Sequence, residues 1–71
     1  MKLTIGFYEC EHDGDLSNYA DDVRKAGGAV LKRQLNEDEE AGYLLVEVAD
    51  KAAFIAEFRK TESYQFSSLA N

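Results

Sequence analysis

Proline is absent from the chain, and cysteine and histidine occur once each, as Cys10 and His12. Without proline or low-complexity runs, no stretch reads as a linker. A single cysteine excludes an internal disulfide and a structural zinc site built from several thiolates. Basic side chains are few, 8 against 14 acidic ones, for a net charge of −6. Phosphate backbones repel such a chain, so nucleic acid is not expected as a partner, and anionic membrane surfaces are disfavoured likewise. No apolar run approaches the roughly 20 residues a membrane span needs. The segment Met1 to Phe7 is too short and too strand-like for a signal peptide, since Glu9, Glu11 and Asp13 follow at once. With one cysteine and no export signal, a reducing cytoplasm is the expected location.

What is present is enough for one core. The 71 residues are 45% hydrophobic and read as a single small domain over 1–71. A domain this short buries only about 60% of the surface its unfolded chain exposes, so it gains from a disulfide, a metal or a partner. With the first two excluded or unmarked, oligomerisation is the expected compensation.

Periodicity supplies the elements. Leu3, Ile5 and Phe7 alternate with Thr4, Gly6 and Tyr8, predicting a half-buried strand over about 2–10. Leu16, Tyr19, Ala20, Val23 and Ala26 form one apolar stripe of a helix over about 15–27, with Asp15 or Ser17 as its cap and Gly27-Gly28 as its stop. A second strand is expected over about 29–35, with Ala29, Leu31 and Leu35 on one face. The polar run Asn36 to Gly42 reads as an exposed hairpin loop. In the third strand, about 43–49, Leu44, Val46 and Val48 oppose Tyr43, Leu45 and Glu47. Asp50 caps a second helix over about 50–63, whose stripe is Phe54, Ile55 and Phe58. The tail, 64–71, reads as a short fourth strand or as an arm that packs on a partner.

Two helices on one face of a sheet make an α+β two-layer sandwich. The order β-α-β-β-α, with a third strand slotted between the first two, resembles the ferredoxin-like superfold over roughly residues 2–64. The expected sheet has three strands, antiparallel or mixed, with the final strand missing or short. That leaves two needs: the outer edge of the first strand, and a bare sheet face. Both predict a homodimer, with Tyr8, Val30, Tyr43, Leu45, Tyr64 and Phe66 as candidate interface residues.

The densest group of chemically able side chains is Cys10, His12, Asp13 and Asp15, around the turn glycine Gly14. Cys10 and His12 are two residues apart and share a side in extended backbone, as a zinc or copper pair would need. Chance grouping accounts for the same residues, and the neighbouring acids raise a thiol pKa. In Asp13-Gly14-Asp15-Leu16, Gly14 and Leu16 resemble the first strand–helix loop of ACT small-molecule-sensing modules, where a proline is common and here is absent. That resemblance implies a small ligand, such as an amino acid, held near Gly14 between subunits. The acidic run 37–40 lacks the spacing of a calcium loop. No phosphate loop, nucleophile triad or paired-carboxylate motif is visible, so no cofactor is expected. The leading expectation is a non-catalytic regulatory or protein-interaction module acting as a homodimer. The alternatives are a ligand or metal carrier using the first strand–helix loop, and a small dimeric enzyme with a pocket on the sheet face.

Overall fold

In a computed structural model of the chain, the described residues are 1–8, 10, 13–36 and 40–70. They form β1 (Lys2–Phe7), α1 (Asp13–Lys25), β2 (Ala29–Asn36), β3 (Ala41–Glu47), α2 (Lys51–Phe58), a 3₁₀ helix (Glu62–Phe66) and β4 (Ser67–Ala70). The sheet has four strands in the order β2-β3-β1-β4, and every neighbouring pair is antiparallel. This architecture is compatible with a ferredoxin-like topology.

The expected three-stranded sheet is therefore corrected to four. The tail turns back along β1, pairing Thr4 with Ala70, Ile5 with Leu69 and Phe7 with Ser67. Its leucine explains the docking, because Leu69 packs against the core while Ser68 stays exposed. The β1 edge from Thr4 to Phe7 is thus covered by the same chain. The need for a partner at that edge, inferred from the missing strand, falls away.

The core is the meeting of one face from each layer. Leu3, Ile5 and Phe7 from β1, with Leu44 and Val46 from β3, face Leu16, Ala20 and Val23 of α1 and Phe54 and Phe58 of α2. An aromatic chain ties the layers. Phe7 stacks on Tyr19 at 4.3 Å and meets Phe58 edge-on at 6.5 Å, while Phe54 stacks on Phe58 at 5.5 Å. Such pairs contribute beyond their burial.

Several boundaries move. Helix α1 starts at Asp13, so Asp15 and Ser17 lie inside it; the Ser17 hydroxyl accepts from Arg33 Nη1 at 2.8 Å. It ends at Lys25, short of the expected 27, and the chain turns at Gly27, whose φ of +98° is the left-handed stop, while Gly28 N–H bonds back to the Val23 carbonyl. Helix α2 keeps its Asp50 cap, bonded to Ala53 N at 3.1 Å, but stops at Phe58 rather than near 63. There the Thr61 hydroxyl takes the Phe58 carbonyl at 2.7 Å, and the chain tightens into the 3₁₀ helix. Tyr64 and Phe66 sit on that helix instead of alternating along a strand. They pack on Phe58 and Tyr19, at 6.0 and 6.4 Å.

In β2 the strict alternation breaks. A register shift between Val30 and Lys32 leaves Leu31 as the irregular residue, half exposed at the sheet edge. Val30 then lies opposite Val46 and packs on the core, on the helix side and not on the outer face.

Candidate functional site

The register defines the uncovered face of the sheet residue by residue. Buried Leu44 and Val46 face the helices, so their neighbours Tyr43, Leu45 and Glu47 face away. Across the ladder, Leu45 lies between Lys32 and Thr4, Tyr43 between Gln34 and Gly6, and Glu47 between Ala29 and Lys2. The centre is thus an apolar column, Leu45, Tyr43 and Ala41, each half-buried. Around it lie exposed Lys2, Lys32, Gln34 and Thr4. Tyr8, one step beyond β1, is 55% exposed, and its hydroxyl donates to the Gln65 carbonyl at 2.6 Å. An apolar centre within a polar rim is the anatomy of a docking surface.

Charge is distributed unevenly over the molecule. Of the 14 acidic side chains, seven fall at positions 9–13 and 37–40, which hold no lysine or arginine. Among the described residues, Cys10 N–H donates to the Glu40 carbonyl at 3.0 Å, which ties the chain after β1 to the start of β3. The uncovered face carries one acidic residue among those described, Glu47, which pairs with the Met1 ammonium at 3.1 Å.

The six interface candidates separate. Tyr8, Tyr43 and Leu45 fall on or beside the uncovered face. Val30, Tyr64 and Phe66 belong to the helix side, with the Arg59 guanidinium 6.0 Å from the Tyr64 ring. Leu31 was missed; only its bulged register, a property of the pairing with β3, brings it out.

The candidate ligand loop also separates. Cys10 is wholly buried, and its thiol donates to the Phe7 carbonyl at 3.7 Å. His12 lies outside the described residues, as do Glu9, Glu11 and hairpin positions 37–39. Asp13 and Gly14 open α1. Asp15 lines a groove of about 310 Å³ between α1 and the 3₁₀ helix, with Asn18, Tyr19, Asp22, Glu62, Ser63 and Phe66. The buried Ser63 hydroxyl donates to the Asp22 carboxylate on its wall. Three carboxylates beside two rings suit a cation better than an anion. A shallower groove of about 220 Å³ lies between the end of α1 and the start of α2, around Ala26, Val48 and Phe54. Among the described residues no group of three or more His, Cys, Asp or Glu is placed to hold a metal ion. No helix of the described residues is long and apolar enough to cross a membrane. No protein-family model, curated protein or solved structure matches this chain.

Proposed function

We propose that this chain is a non-catalytic protein-interaction module that docks through the uncovered face of its sheet. One observation carries the reading: among the described residues, the column Leu45, Tyr43 and Ala41 has neighbours from the sheet but no layer above it, while both helices pack on the opposite side. The strand order supports placing the chain in the ferredoxin-like class, whose open sheet face is available for contact. The lone cysteine supports a reducing compartment. The ligand reading ranks behind, because Cys10 is inside the core and Asp22 in the groove is already engaged by Ser63.

The test is a photo-crosslinking amino acid placed at position 43 in cells, with the same group at Glu57 on the helix layer as the control. Adducts are expected from position 43 and not from position 57. No adduct at 43, or equal yields at the two sites, would sink the docking reading.

A further inference from the structure

The docking reading leaves the partner open, and the charges on the sheet face narrow it. The described charges there are Lys2, Lys32 and Glu47. The acid is already engaged, because the Met1 ammonium donates to Glu47 Oε1 at 3.1 Å. The lysines are not. Among the described residues, neither Lys2 nor Lys32 is held in an ion pair, whereas Arg24 pairs with Asp21 and Lys60 with Glu57. Arg33, the next residue of β2, points to the helix side and donates to Ser17. A chain of net charge −6 thus turns two unengaged ammonium groups toward its one uncovered sheet face.

The strand pairing sets these cations around the apolar column. Lys32 of β2 lies beside Leu45, and Lys2 of β1 lies beside Glu47, two residues further along β3. Outer strands two places apart are about 10 Å from each other, so the lysines stand on either side of β3. Lysine stems lie along apolar surface and keep their heads in water. Leu45 is therefore bracketed by positive charge, one head beside it and one diagonal to it. Resting on the docking reading, we propose that the partner is an acidic segment of a different protein. It sets carboxylates against Lys2 and Lys32 and an apolar side chain on Leu45 and Tyr43.

The same charges rank the other occupants. A second copy, face to face, would set an excess of cations against an excess of cations. A nucleic acid is repelled at long range by the net charge and has no apolar group for the column. A short acidic segment escapes that repulsion, because salt screens exposed charges beyond about 8 Å and leaves the local pairs to decide. Exposed pairs contribute little each. They select the sign of the partner, while the column supplies the buried centre.

The test is an NMR titration of the ¹⁵N-labelled chain with a synthetic peptide of alternating glutamate and valine. Amide shifts are expected at Lys2, Lys32, Tyr43 and Leu45. The same peptide with glutamine for glutamate should bind at least about tenfold more weakly. The double variant Lys2→Glu, Lys32→Glu should lose at least about tenfold in affinity for the acidic peptide. Both positions are exposed, and circular dichroism verifies that the variant is folded. Lys60→Glu on the helix layer should leave the affinity unaltered. The proposal is overturned by equal binding of the glutamine peptide, by a double variant that binds normally, or by Lys60→Glu weakening binding as much. Equal shifts at this face from a single-stranded oligonucleotide, or shifts there that follow protein concentration without peptide, overturn it in favour of nucleic acid or a second copy. If the acidic peptide leaves the face unmoved but position 43 still crosslinks in cells, the acidic partner alone falls. If neither occurs, the docking reading falls too.

Discussion

At the scale of single residues, close packing decides most outcomes. A methyl group at Gly28 would stand 2.7 Å from Val46 Cγ1 and 2.9 Å from both Phe54 Cε1 and Val23 Cγ1, so β2, β3 and both helices meet there without room for a side chain. Gly28→Ala is expected to destabilise the fold by about 1–3 kcal/mol, as overpacking of a dense core does. Urea unfolding followed by circular dichroism measures it, and an unchanged midpoint would show that the neighbours yield without cost. The sequence marks Gly27-Gly28 as a helix stop, and Gly27 has that role by its backbone angle. The second role, close approach, is invisible in a dipeptide because its contacts come from residues 18 and 26 positions further along. Cys10 shows the reverse. Its spacing from His12 invites a metal reading, yet its burial comes from tertiary packing that no local pattern encodes.

At the scale of elements, periodicity locates strands and helices but not their ends. The stripe of α1 and the alternation of β3 are local, set by backbone geometry and apolar spacing, and both are recovered from sequence. Strand β4 is not. Ser67-Ser68-Leu69-Ala70 has one large apolar side chain, and what makes it a strand is the free edge of β1 beside it. Tyr8 N–H reaches the Phe66 carbonyl at 3.2 Å and holds the entry to that pairing. Removing residues 67–71 exposes the β1 edge and strips Leu69 from the core. The expected loss is about 2 kcal/mol or more, a large share of the roughly 4–10 kcal/mol that a chain of this length holds. Thermal melting of the truncated chain checks this; an unchanged transition would mean that β4 is dispensable. The bulge in β2 has the same lesson. Period-two reasoning puts Leu31 inside and Val30 outside, and the pairing with β3 reverses Val30 because Leu31 is accommodated as an irregularity.

At the scale of the whole molecule, the candidate site is a surface, and surfaces are the least local feature. Tyr43 and Leu45 were legible from the alternation of β3 and Lys32 from that of β2, whereas the pairing of Lys32 with Leu45 comes only from the shifted register. If an acidic segment docks on this face, folding and binding are linked, and the melting temperature must rise with the concentration of the acidic peptide. A tenfold increase is expected to raise it by about 5–10 °C once the concentration exceeds that of half-binding. A melting temperature independent of peptide up to hundreds of micromolar would count against such a partner. By itself the sequence determined the class of fold, the inward-facing stripes and the excess of acid in two stretches, because each depends on residues near one another in the chain. Only the tertiary structure decided that the tail completes the sheet, that Val30 turns inward and that Lys2 and Lys32 flank one column. Those facts depend on register and edge pairing between distant segments, where the energy of one strand is set by the strand it lies against.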